Sequence, residues 1–95
     1  MPYIRISLMT PAEGKSDEVK RLNQELSAFY IAQDGCLQSF VITAADGSGE
    51  LGRVSIWQSE ATADHAASHE HSMSLRSRVH LAVKRGHVDR SFLAP

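Results

Sequence analysis

Apolar and polar positions alternate strictly from Tyr3 to Met9, with Ile4, Ile6 and Leu8 on one side and Tyr3, Arg5, Ser7 and Met9 on the other. A period of two predicts a half-buried strand. Pro11 and Gly14 in "TPAEGK" interrupt it, and the period then changes. Val19, Leu22, Leu26, Phe29 and Tyr30 recur at helical spacing. Ser16 is suited to capping this helix, and Asp17 and Glu18 fall in its first turn, where the helix dipole favours negative charge. Asp34 and Gly35 predict the stop, because glycine accepts the left-handed conformation that ends many helices.

"CLQSFVITA" is rich in β-branched and aromatic residues, and "GRVSIWQ" alternates again. "ADGSGE" between them supplies turn chemistry, so residues 36 to 57 are expected to form a hairpin. Ser59 and Glu60 open a second helical region that begins alanine-rich and later gains Leu75, Val79, Ala82 and Val83. Lys84, Arg85 and Gly86 suit its C-terminus, and "HVDRSFL" is expected to close the chain as a fourth strand. The order β-α-β-β-α-β predicts a ferredoxin-like α+β fold, two helices on one face of a four-stranded antiparallel sheet. Apolar residues occupy both strand faces: Leu37 and Val41 alternate with Phe40 and Ile42, and Val88 and Phe92 with Leu93. A sheet apolar on both faces needs two covers, and a second subunit pressing its own sheet on the free face is the economical one.

Ninety-five residues are expected to make one small domain spanning the whole sequence. A core that thin gains from a partner subunit, which again points to a homodimer. Ten basic and eleven acidic residues leave a net charge of −1, a poor basis for gripping a phosphate backbone, so no nucleic-acid partner is expected. RNA-recognition domains share this element order, but "ELGRVSIWQ" lacks their aromatic strand signature. Cys36 is the only cysteine, which rules out an internal disulfide and a cysteine-based zinc site. No apolar run approaches the roughly 18 residues that span a membrane. The N-terminus lacks the pattern of a signal peptide, so a cytoplasmic protein with no membrane partner is expected.

"DHAASHEHSM" gathers His65, His69 and His71. At about 100° per residue His65 and His69 share a helical face, whereas His71 lies roughly 200° beyond His69. A three-histidine metal site would require a helix break between Ala67 and Ser72. The expectation is that His65 and His69 face solvent and that no metal is bound. Around the same wheel Leu75 lies about 40°, Val79 about 80° and Ala82 about 20° from His71. His71 therefore borders the stripe that packs on the sheet, and His80 lies opposite it, facing water. An imidazole at a pocket edge can serve as base or hydrogen-bond donor, which makes His71 the candidate catalytic residue; a structural histidine bonded to a carbonyl is the alternative. Trp57 is either core packing at the sheet's edge or an aromatic wall for a flat substrate. Arg5, Ser7, Arg53 and Ser55 share a strand side that either lines a pocket, lies at a subunit interface or meets solvent. No phosphate-binding loop, nucleophile elbow or dinucleotide fingerprint is present.

Three stretches together carry a resemblance. "PAEGKSDEV" is similar to the opening of the first helix in antibiotic biosynthesis monooxygenase (ABM) domains, "DGCLQSFVI" resembles their entry into the second strand, and "RVSIWQSEATADHAASHEHSMSLRS" resembles their strand ending in W-x-S and the helix after it. The resemblance implies a dimeric α+β barrel with a cavity between sheet and helices in each subunit. It also implies relatives that oxidise quinols or polycyclic phenols with dioxygen without a cofactor, and others that degrade haem. His71 stands where the family has its helix histidine, and Trp57 matches the tryptophan of W-x-S. The haem-degrading members use a first-strand asparagine and a helix tryptophan. Here the only asparagine is Asn23, inside the first helix, and the second helical region has no tryptophan, so haem degradation is disfavoured.

The expected function is a monooxygenase, free of metal or flavin, acting on a small aromatic or quinol-like molecule. His71 would be the base, Trp57 a wall, and Arg5 and Ser7 anchors for the developing anion. The alternative is a non-catalytic dimer of the same fold that holds a small ligand or has a structural role.

Overall fold

The computed structural model describes residues 1–95. The elements run β1 (Tyr3–Met9), α1 (Ser16–Ile31), β2 (Cys36–Thr43), β3 (Leu51–Trp57), α2 (Glu60–Ala67), α3 (Glu70–Ala82) and β4 (Val88–Leu93). The four strands form one antiparallel sheet in the order β2-β3-β1-β4, with the helices on one face. This is the ferredoxin-like α+β arrangement that the alternation of periods predicts.

The second helical region departs from expectation in two places. It is two helices: α2 stops at Ala67, and His69 takes an extended conformation as the N-cap of α3, its Nδ1 accepting from the His71 N–H at 3.4 Å. Serine and histidine at 68 and 69 are poor helix formers, and the side-chain cap compensates the interruption. The second helix also ends earlier than the Lys84-Arg85-Gly86 signal suggests. Val83 is extended and bridges to Pro11, while Lys84 N–H donates to the Thr10 carbonyl at 2.8 Å. Pairing with the β1–α1 connection removes these residues from the helix. At α1, Lys15 rather than Ser16 is the N-cap, without a side-chain bond, and Asp17 and Glu18 do occupy the first turn.

The register of β1 on β3 positions the site. Tyr3 pairs with Trp57, Arg5 with Ser55, Ser7 with Arg53, and Met9 with Leu51, all facing the helices. The ends of this face are apolar and buried, and its middle is polar. Val19, Leu22, Leu26 and Tyr30 of α1 pack with Leu75, Val79 and Ala82 of α3 against the apolar ends. The opposite face of the sheet carries Ile4, Ile6, Leu8, Val54, Ile56, Phe40, Ile42, Val88 and Phe92 with no helix over it, leaving Phe40 42% and Phe92 38% exposed.

Gly35 joins α1 to β2 with φ +82°, and a Cβ there would stand 2.6 Å from Thr62 Cβ, which is anchored to α2. Gly47, in the hairpin turn, has φ +75° but open space around it. Gly47→Ala therefore carries only the left-handed backbone penalty, about 1–2 kcal/mol. Gly35→Ala adds a collision with α2, and its loss in urea unfolding should exceed that of Gly47→Ala by at least about 1 kcal/mol. Equal losses would show that the α2 contact yields freely.

Candidate functional site

A cavity of about 320 Å³ lies between the polar middle of the sheet and the helices. Arg5, Ser7, Arg53, Ser55, Trp57, Asp89 and Ser91 line it from the strands, Tyr30 from α1, Ala63 and Ala67 from α2, and Arg76, Val79 and His80 from α3. His87 closes it from the α3–β4 connection. The space exists because small residues on α2 stand over a sheet surface whose long side chains are arginines. Those arginines are held to one side by hydrogen bonds.

Arg53 is 7% exposed, and its Nη1 donates to Asn23 Oδ1 at 2.7 Å. Asn23 is itself fully buried and donates to the Val19 carbonyl at 2.9 Å. Burial is the largest influence on Arg53 and lowers its pKa. Arg76 donates from Nη2 to the Ala67 carbonyl at 2.8 Å, while its buried Nε has no partner. Arg5 is differently placed, paired with Asp64 and donating to the Tyr3 hydroxyl at 3.2 and 3.3 Å. Tyr3 in turn donates to Ser91 Oγ at 3.0 Å. Trp57 is 1% exposed, stands edge-on to Tyr30 with ring centres 5.7 Å apart, and keeps a buried indole N–H without a partner. The Tyr30 hydroxyl is bonded to Ser72 Oγ at 2.6 Å.

Across the sheet from Arg53, Ser7 pairs on its other side with Asp89 and donates its hydroxyl to Asp89 Oδ1. His87 Nε2 lies 3.4 Å from the same oxygen, and the His80 ring lies over His87 with centres 4.8 Å apart. The His87 side chain is 12% exposed, and neither ring nitrogen has a well-formed hydrogen bond. Burial is the main cause that lowers the His87 pKa below its ordinary 6.5; His80 and Arg53 add to the fall, and Asp89 opposes it. For Asp89, burial alone would raise the carboxyl, but the Ser7 hydroxyl and the charges of His87, Arg53 and His80 together hold it below the usual range. At neutral pH the site thus presents an uncharged imidazole beside a carboxylate.

Of the four site residues expected from sequence, the structure brings together Arg5, Ser7 and Trp57. It does not bring His71 with them. His71 is exposed on the first turn of α3, with its ring 5.1 Å from that of Phe29, and it does not line the cavity. The buried stripe of α3 (Ser72, Leu75, Val79, Ala82) has two edges. His71 sits on the edge that meets α1, and Arg76 and His80 on the edge that overhangs the cavity. His80 is exposed, as expected, but its ring is part of the cavity mouth rather than free of the site. His65 and His69 are exposed. The helix break that a three-histidine site would need is present, yet no three metal-ligating side chains converge anywhere in the chain. His87 and Asp89 were not singled out in the sequence. The signal that finds them is register: once β4 pairs with β1, Asp89 falls opposite Ser7 on the helix-facing side.

No protein-family model matches the chain, and no curated protein matches it. Solved structures do. Rv0793 from Mycobacterium tuberculosis is 24% identical, with a TM-score of 0.88 over 100% of this chain and 95% of its own. A protein described as an antibiotic biosynthesis monooxygenase is 18% identical, with a TM-score of 0.86 over 100% and 99%. SnoaB, a cofactor-independent oxygenase from Streptomyces nogalater, is 13% identical, with a TM-score of 0.85 over 99% and 93%. No helix is long and apolar enough to cross a membrane.

The lowered His87 pKa has a definite linkage. Its contribution to stability is complete above the unfolded value of about 6.5 and is lost as pH falls through the lower folded value. An NMR titration of the five imidazoles should find His87 with a midpoint below 6.5. In Asp89→Asn that midpoint should fall further, because a stabilising negative charge is gone; an unchanged midpoint would mean that Asp89 does not act on the ring. Across the whole chain, the fold is that of the antibiotic biosynthesis monooxygenases.

Proposed function

We propose that this protein is a cofactor-independent monooxygenase that oxidises a small aromatic, quinol-like molecule with dioxygen in the cavity between sheet and helices. The observation that carries the reading is the His87–Asp89 pair in a cavity wall that also presents Trp57 and Tyr30. A neutral imidazole beside a carboxylate can take a phenolic or enolic proton, and Asp89 favours the imidazolium that results. The base is thus His87 and not His71. The substrate anion is electron-rich enough to react with dioxygen directly. For an anthrone-type carbon, CH₂ becomes C=O, the second oxygen atom leaves as water, and the substrate supplies all four electrons. Trp57 and Tyr30 form the aromatic wall, and Arg5 and Ser7 belong to the polar floor. SnoaB, of the same fold, is a cofactor-independent oxygenase, which supports the assignment of the reaction class.

Aerobic oxygen uptake by metal-free protein, with a panel of hydroquinones and anthrones, tests this. His87→Ala and Asp89→Asn should each lower turnover, the former by about 10²-fold or more, while His71→Ala should leave it unchanged. Loss of turnover in His71→Ala with none in His87→Ala would return the role of base to His71. No turnover of any member of the panel would favour the non-catalytic ligand-binding dimer.

The same proposal includes a homodimer joined through the uncovered sheet face. Nine apolar side chains there, among them Ile6, Phe40 and Phe92, form the kind of contiguous patch that marks an interface. Sedimentation velocity should show a dimer at micromolar concentration and a monomer for Phe40→Lys. A monomeric wild-type protein would remove the second subunit.

A further inference from the structure

The cavity holds more positive charge than its own carboxylate can balance. Arg5, Arg53, Arg76 and Arg90 line it, and Asp89 is the one carboxylate that does. Two of the four are accounted for: Arg5 is paired with Asp64, and Arg90 lies over the Phe92 ring at 4.8 Å. Arg53 and Arg76 have no carboxylate within ion-pair distance, and each makes one hydrogen bond, to a neutral oxygen. Arg53 is only 7% exposed. A buried guanidinium normally has a partner, because removing its charge from water is costly. The site carries a second sign of a missing acceptor in two unpartnered buried donors, the Arg76 Nε–H and the Trp57 indole N–H. Both residues line the cavity.

We propose that the cavity binds its substrate as a small aromatic monoanion, with a carboxylate received by Arg53 and Arg76 and the ring placed against Trp57. Guanidinium forks suit a planar pair of oxygens, and such bonds strengthen away from water. A volume of about 320 Å³ is at the small end of ligand pockets and accommodates one or two rings. Asp89 forms no ion pair with either arginine; its hydrogen bond comes from the Ser7 hydroxyl. The substrate class deepens the oxygenase reading and rests on the same cavity, but its test needs no turnover.

Isothermal calorimetry with benzoate against benzamide, and 1-naphthoate against 1-naphthamide, compares a carboxylate with its neutral isostere. None of the four is a quinol, so failure of the oxygenase reading leaves the measurement intact. The carboxylate should bind about tenfold or more tightly than its amide, with quenching of Trp57, the sole tryptophan. In Arg76→Gln the two affinities should converge, and Arg76→Lys should restore part of the difference. Arg76 is less buried than Arg53, so its substitution is the safer one for folding; Arg53→Lys, which keeps the charge but not the fork, should also narrow the preference. Equal affinity for acid and amide in the wild type would overturn the proposal. So would a preference that survives both Arg76→Gln and Arg53→Lys, or no measurable binding of any of the four at millimolar concentration.

Discussion

The cross-strand register of β1 and β3 is the constraint on which the rest depends. Because side chains alternate along a strand, the residues that face the helices are fixed once Tyr3 pairs with Trp57. Everything between the apolar ends follows as Arg5 opposite Ser55 and Ser7 opposite Arg53. A shift of β1 by one residue would put Ile4 and Ile6 under the helices and turn Arg5 and Ser7 to the other face of the sheet. The helix layer agrees with the register actually formed. Large side chains cover the apolar ends, while Ala63 and Ala67 of α2 stand over the middle. A polar floor under a layer of small residues leaves a cavity, and that cavity is a consequence of the pairing.

Holding a guanidinium in such a place requires protein groups that replace water. Asn23 does this for Arg53. Its amide donates to the helix carbonyl of Val19 and its oxygen faces the arginine, so the asparagine is locked in orientation from behind. An asparagine inside an amphipathic helix is a weak helix former with no obvious use. In this fold it connects α1 to β3 through a charge. The chain's single asparagine thus has a structural purpose: it holds a buried guanidinium in place.

What could be read from the sequence was what depends on local period. The alternation of β1, the helical stripe of α1, the turn at Asp46 and Gly47 and the order of the four strands all survive in the structure, while the second helical region divides into α2 and α3. The site was only half legible. Arg5, Ser7 and Trp57 lie on strands, where the face is set by parity alone. His71 lies on a helix, where the wheel gives the angle to the buried stripe but not which neighbour flanks each edge. α1 takes one flank of α3 and the cavity the other, and that choice depends on tertiary packing. The break at Ser68 and His69 was foreseeable as a weakness in the helix. The capture of Val83 and Lys84 by the β1–α1 connection was not, because its cause lies some 70 residues away in the chain.

Position and charge within the cavity fit one another chemically. The row across the sheet runs Arg53, Ser7, Asp89, so cation and anion are separated by a hydroxyl that is committed to the anion. Without that separation the two would pair and neutralise each other. The cavity would then have neither an anion receptor nor a base with a carboxylate behind it. Under the proposed reaction, the proton leaves toward His87 while the negative charge it leaves behind develops in the field of Arg53 and Arg76. Each of these lowers the cost of the other, since a phenol near unpaired guanidinium groups ionises more readily, and a neutral imidazole kept so by burial is free to accept the proton. Dioxygen is small and apolar and needs only access. Ser7 is then more than part of the floor: by occupying Asp89, it keeps the cations available to the substrate.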